Sequence, residues 1–253
     1  MLILTIVCAI PYFCGKWLDY KMDNKLSDQA QVEVVAGFAH LMSKTFKGDV
    51  NAACWQRTLS GDFEEIVAKL ELKANLTEVS MDDLEALELS AKGDLARAVI
   101  LDDFQLLTAA GASPSLNLIK SYERDEAFDF ISTDVYSFHV DRSPIGTDTF
   151  LCTYYGAASE ILANNQAEQK VLVPAIREKL RELYDGQEEE FESFLTEHYF
   201  DLHYQAKPGA IPVKLGLGQL WRLAVDHPDQ QCLPCIHRAP LEKEGEYRLL
   251  LIC

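Results

Sequence analysis

The sequence is short of positive charge. Its 23 lysines and arginines face 40 aspartates and glutamates, a formal charge of −17. Phosphate backbones and anionic bilayers are bound through a local excess of cations, so neither nucleic acid nor a membrane surface is expected as a main partner. A small anionic ligand stays open, because one buried arginine can hold a carboxylate against the overall field. An even set of cysteines is also missing. The seven present (Cys8, Cys14, Cys54, Cys152, Cys232, Cys235 and Cys253) are scattered and make a poor disulfide framework. That usage points to buried thiols in a reducing, cytoplasmic setting. No stretch is long enough to span a bilayer. The N-terminal run MLILTIVCAIPYFCG is broken by Pro11 and Gly15 and lacks the charged leader and cleavage site of a signal peptide. We read residues 1–21 either as a non-native or disordered extension, with Met22 as the natural start, or as a genuine apolar N-terminal segment. Internal repeats and low-complexity linkers are absent as well, which leaves no clear domain boundary.

What is present is enough apolar material, 48% of 253 residues, to bury one sizeable core. Spacing predicts an amphipathic helix over residues 27–46 with Ser27 as its cap, then a short strand in NAACWQRTL. Helices follow in FEEIVAKLEL, opened by Ser60 or Asp62, in MDDLEALELSA and in GDLARAVILDDFQLLTAAG. From Leu116 the pattern changes to short strands: LNLIKSYE, DVYSFHVD and TFLCTYYG, and later AIPVKLG, CIHRAP and EYRLLLIC. Two helical blocks interrupt them, QKVLVPAIREKLRELYDG with Pro174 in its first turn and EEEFESFLTEHYFDLHYQ. The expectation is a single α+β domain over residues 22–253, helical over 22–113 and β-rich over 114–253, with a helical insert at 165–205. Its β part is expected to be a double-stranded β-helix, a jelly roll of the cupin kind, braced by the helices.

The chemistry-bearing signal is Phe138-His139-Val140-Asp141. Residues two apart on a strand share a face, so His139 and Asp141 can point into a barrel together. With His237 from CIHRAP they supply two imidazoles and one carboxylate, the facial triad of non-haem iron sites. Three protein ligands on one face leave positions for a bidentate oxo acid and dioxygen. Arg248 lies on the terminal strand among apolar residues, where a fork-shaped permanent cation suits the far carboxylate of 2-oxoglutarate. A protein Asp or Glu is the competing partner for it. The order of these elements along the chain, more than any one of them, points to an Fe(II)- and 2-oxoglutarate-dependent dioxygenase, or a relative that keeps the metal site, with a small-molecule or unknown substrate. A metal-free barrel whose polar cluster stabilises the core is a competing reading.

Several of the same segments carry a family resemblance. WQRTL at Trp55–Leu59, FHVDR at Phe138–Arg142, LCTYYG at Leu151–Gly156, HRAP at His237–Pro240 and RLLL at Arg248–Leu251 resemble the bacterial and plant proteins grouped as domain of unknown function 1826. The similarity runs from about Asn51 to the C-terminus. It implies no agreed activity. The genomic habit of that family resembles that of zinc-responsive genes, which implies zinc as an alternative metal and a non-catalytic role in zinc homeostasis as an alternative function. Departures from the family pattern include Thr149, where an arginine is usual, and Gly156-Ala-Ala-Ser-Glu160.

Other residues compete for attention. Cys232-Leu-Pro-Cys235-Ile-His237 has zinc-knuckle spacing, but no second Cys-x-x-Cys completes it. Tyr154 is a candidate to bond a cosubstrate carboxylate, or a core tyrosine. His198 and His203 are read as lying on a solvated acidic face.

Overall fold

The protein is described here from a computed structural model, which covers residues 29–253 apart from Glu242 and Glu244. The apolar N-terminal run and the Ser27 cap lie outside these residues. Within them, the helix expected over 27–46 is instead a strand and a short helix. β1 (Val32–Val35) pairs in parallel with β2 (Ala52–Trp55), and α1 (Phe38–Ser43) fills the crossover. VEVV suits a strand because its β-branched side chains restrict χ1, and a neighbouring strand completes its hydrogen bonds. Lateral pairing overrode the helical spacing.

α2 (Phe63–Lys69) starts as expected. The Asp62 carboxylate accepts from the Glu65 amide, and Glu64 and Glu65 occupy the positive first turn. β3 (Leu76–Val79) and α3 (Met81–Glu85) lead to α4 (Ala91–Ala109), where Ser90 caps the Gly93 amide. α4 buries Ala96, Ile100, Asp103 and Leu107, one per turn. The β-rich part contains β4 (Ser115–Ile119), β5 (Phe138–His139), β6 (Asp148–Tyr155), β7 (Glu160–Leu162) and β8 (Ala167–Gln169). α5 (Pro174–Leu183), with Pro174 in its first turn, and α6 (Phe191–Glu197) follow. β9 (His203–Ala206), β10 (Val213–Lys214), β11 (Leu220–Ala224), β12 (Ile236–Arg238) and β13 (Arg248–Ile252) complete the chain. Several features depart from expectation: β3 and β7 form where no strand was assigned, and β8 lies within the expected helical insert. The second helical block stops at Glu197 and continues into β9, and β11 arises in LWRLA, a segment with no assigned role in the pattern above.

Apart from the β1–β2 pair, the described strand pairs are antiparallel. They form a seven-stranded sheet, β1-β2-β11-β6-β13-β4-β3, and a six-stranded sheet, β10-β7-β12-β5-β9-β8. The chain is thus a mixed α+β structure dominated by antiparallel sheet. One apolar layer joins the sheets: Cys54, Leu151, Trp221, Leu223 and Leu250 from the larger meet Ile161, Leu215 and Cys235 from the smaller side. Trp221 is fully buried there, and its indole N–H donates to the Leu215 carbonyl at 2.8 Å. The opposite face of the larger sheet (Leu116, Leu118, Phe150, Cys152, Tyr154, Leu249 and Leu251) packs on α2, α3 and α4. Gly156, which ends β6, has φ +84°, and a Cβ there would collide with the Tyr247 carbonyl, so no side chain fits.

The helix–sheet layer holds one buried ionic cluster. Arg57 binds both carboxylate oxygens of Asp103, Arg57 Nε donates to the Gly218 carbonyl at 2.8 Å, and the Tyr154 hydroxyl donates to Asp103 Oδ2 at 2.7 Å. Asp103 is 1% exposed. Every partner is needed, because a buried charge left alone carries its full desolvation cost. Asp103→Ala is expected to lower unfolding free energy by about 3–5 kcal/mol, measured by urea denaturation. A loss below about 1 kcal/mol would mean that the cluster is solvated in solution.

Candidate metal centre

Alternation in the smaller sheet decides what faces the inter-sheet space. Phe138, Val140, Leu162, Leu202 and Ile236 form a separate apolar cluster on its outer face. Their neighbours along each strand, His139, Asp141, Ile161, His203 and His237, therefore turn inward. His237 on β12 is in register with His139 on β5, which is in register with His203 on β9. Three histidines from adjacent strands thus lie in one row. Ring centroids are 4.5 Å apart for His139 and His237 and 5.8 Å apart for His139 and His203.

Asp141 lies just past β5, where its backbone carbonyl accepts from the Asp226 amide at 2.8 Å. The ligand atoms of His139, Asp141 and His237 all lie within 4.8 Å of one another. His139 Nδ1 lies 2.7 Å from the Ser137 carbonyl oxygen, and His237 Nδ1 lies 3.1 Å from that of Cys235. A carbonyl only accepts, so both Nδ1 atoms carry the proton and both Nε2 atoms present a lone pair. That tautomer is the one a metal-binding imidazole needs, oriented by the partner of its other nitrogen. His237 Nε2 is 3.6 Å from Asp141 Oδ2, which also accepts a hydrogen bond from the Thr149 hydroxyl. The donor set and its orientation fit a divalent transition metal.

Electrostatics agree with this arrangement. Burial, followed by the neighbouring His237, pushes His139 down from 6.5 to about 4. Burial pushes the Asp141 carboxyl up, but His237 and the Thr149 hydrogen bond outweigh it, and its pKa falls below the ordinary value. His139 is therefore neutral and Asp141 ionised at neutral pH, the protonation states of ligands.

A cavity of about 830 Å³ opens beside these residues, lined by His139, Asp141, Arg142, Tyr199 and His203 among others. Arg142, the cation in its wall, is held by Asp201 at 2.7 Å and Asp226 at 2.8 Å. Arg248 lies elsewhere. It is 6% exposed and shares the inter-sheet side of β13 with Leu250. Its guanidinium donates to the hydroxyls of Ser159 at 2.8 Å, Thr153 at 3.1 Å and Tyr122 at 3.4 Å. Nε has no partner, and no carboxylate among the described residues pairs with it. Among the described residues, then, the competing protein Asp or Glu does not meet it. The space next to Arg248 is about 20 Å³, room for a water-sized group.

The structure corrects two expectations, for Tyr154 and His203, and leaves Cys232 and Cys235 as loop cysteines, in line with the missing second pair. Tyr154 is one residue from Thr153 on β6 and so faces the helices; it stacks on Phe63 at 5.5 Å and bonds Asp103, away from Arg248. Its proposed contact with a cosubstrate is ruled out by strand alternation. The Cys232–Cys235 knuckle does not assemble: Cys235 is buried in the inter-sheet layer, burial pushes its thiol well up, and His237 turns Nδ1 to its backbone instead. His203 is buried rather than solvated. The alternation in Leu202-His203-Tyr204 was the available signal, hidden by the helical spacing before it. Comparison of the chain with known protein families, with curated proteins and with solved structures finds no match. The resemblance to domain of unknown function 1826 gains no support from them.

The neutral buried histidines make stability depend on pH. Burial pushes His203 down from 6.5 to about 3, with His139 and then Lys170 adding to it. Between these values the unfolded chain binds the proton and the folded chain does not, so stability falls as pH drops below 6.5. In His203→Gln this contribution is absent. Calorimetry at pH 7, 5.5 and 4.5 is expected to show the variant gaining on the wild type as pH falls. A constant difference would mean that His203 titrates normally.

Proposed function

We propose that the chain is a mononuclear non-haem metal enzyme, an Fe(II)-dependent oxygenase that uses a 2-oxo acid such as 2-oxoglutarate. The observation that carries this reading is the convergence of His139 Nε2, His237 Nε2 and the Asp141 carboxylate beside a cavity large enough for a substrate. Strand order supports the jelly-roll form of the fold that such centres use. The order β4-β13-β6-β11 in one sheet is matched by β5-β12-β7-β10 in the other, and the chain alternates between sheets from β4 to β7 and from β10 to β13. That is the interleaving an eight-stranded jelly roll requires.

In this reading His139 and His237 bind the metal through Nε2 and Asp141 binds through a carboxylate oxygen. Thr149 holds that carboxylate in one orientation. Fe(II), when bound, supplies the one-electron chemistry with dioxygen that side chains cannot. Arg248 would anchor the far carboxylate of the oxo acid. Its buried guanidinium, with no anionic partner among the described residues, supports that role, since such a charge is costly until an anion meets it.

A second reading, a zinc-binding protein without a cosubstrate, is favoured by one observation: 20 Å³ beside Arg248 does not hold a five-carbon diacid unless side chains move. Anaerobic Fe(II) titration with and without 2-oxoglutarate separates the two. The expected result is the visible absorption band of an Fe(II)–oxo acid chelate, lost in His237→Ala. Arg248→Ala should keep metal affinity and lose the band at low 2-oxoglutarate. Thr149→Val is expected to weaken metal binding roughly 10-fold. Tight zinc binding with no band in Fe(II) would decide for the second reading, and no metal binding at all would sink both.

A further inference from the structure

Two residues in the cavity wall are in states that cost stability, and nothing in the metal centre accounts for either. His203 is 5% exposed, yet its Nδ1 is buried without a hydrogen-bond partner, and the ring bonds to no described residue. A buried polar nitrogen left unsatisfied is unfavourable unless a ligand completes it. Tyr199 is the one non-glycine residue with positive φ, 59°, among the described residues. It follows the C-cap of α6, a position that usually takes glycine because a Cβ is strained there. Its ring is 61% exposed and lines the cavity. An exposed tyrosine in a glycine position is a strained backbone kept for its side chain.

Both residues come from one turn. Phe200 and Leu202 anchor it, Phe200 in the cluster with Phe191 and Leu195, and Leu202 in the outer cluster of the smaller sheet. The turn therefore presents Tyr199 and His203 on a rigid base. Pro144, Pro228, Val135 and Leu202 add apolar surface to the same cavity. Arg142 is neutralised by Asp201 and Asp226, so this wall offers no unpaired guanidinium to an anion. Apolar surface, an exposed tyrosine and an imidazole that bonds to no described residue suit an uncharged planar ring with a hydrogen-bonding edge.

We propose that this cavity binds a neutral heteroaromatic substrate, its ring stacked on Tyr199 and its polar edge bonded to His203. The proposal rests on the metal reading only for what happens to the ring afterwards, since stacking and the hydrogen bond need no metal. His203 is a binding residue here and not a fourth ligand.

The test uses the full chain without metal and two probes, adenosine and indole, observed by saturation-transfer NMR. At least one is expected to bind the wild type, with affinity reduced roughly 10-fold in both Tyr199→Gly and His203→Phe. Tyr199→Gly should show no drop in melting temperature, because glycine relieves the backbone strain, which separates lost binding from lost folding. Failure of both probes at millimolar concentration, or binding retained by either variant, overturns the proposal. Co(II) titration of the same proteins is read independently. Unchanged Co(II) affinity in His203→Phe is expected, and its loss would make His203 a ligand and overturn the assignment. Wild type that binds a probe but no Co(II) would sink the metal reading and leave the ring site standing.

Discussion

The larger sheet is buried on both faces, and most of the structure follows from that constraint. Helices α2 and α4 cover one side and the inter-sheet layer around Trp221 covers the other. Central strands in this position cannot show a polar-out alternation. β6 and β13 accordingly read as nearly continuous buried runs, DTFLCTYY and RLLLI. Polar groups on these strands must then be satisfied inside the protein. Tyr154 meets this demand through Asp103 and Arg57 on the helix side. Arg248 meets it only in part, through three hydroxyls on the inter-sheet side.

The smaller sheet obeys a different rule. Its strands alternate, with Phe138, Val140, Leu202 and Ile236 outside and three histidines inside. Antiparallel register converts that alternation into a row, since residues at matching positions of adjacent strands lie side by side. Two members of the row hand their Nδ1 protons to backbone carbonyls and leave Nε2 free beside Asp141. The third, His203, has no such carbonyl; it lines the cavity, and its buried Nδ1 is unpaired. Backbone hydrogen bonding thus divides chemically identical side chains between a cluster that could hold a metal and the cavity wall.

Much of this was legible in the residues themselves. His-x-Asp at 139–141 announced two groups on one face, because strand geometry repeats every two residues. The caps at Asp62 and Ser90 and the proline at the start of α5 act locally, and local signals survive in any fold. Three readings failed where the deciding partner was distant in sequence. VEVV became a strand because β2 lay beside it. Tyr154 lies on the face opposite Arg248 because of the register in which β6 pairs with β13, and α4 supplies Asp103 as its acceptor there. His203 was hidden because the helical pattern around it ran on past the point where β9 pairs with β5 and β8.

By itself, then, the sequence determined the identities and local spacings: an acidic α+β chain, helix starts set by capping side chains, and a His-x-Asp pair whose companions are a late histidine and a terminal arginine. Only the tertiary structure decided which of these meet. It brought His139, Asp141 and His237 within reach of one ion, surrounded Arg248 with hydroxyls, sent Tyr154 to the helices and added His203 to the cavity wall. The reason is physical. Capping and alternation act over a few residues and are written in order along the chain. Register between strands and the burial of a face depend on partners far along the chain, from Val32 with Ala52 to His139 with His237, and those are settled by packing.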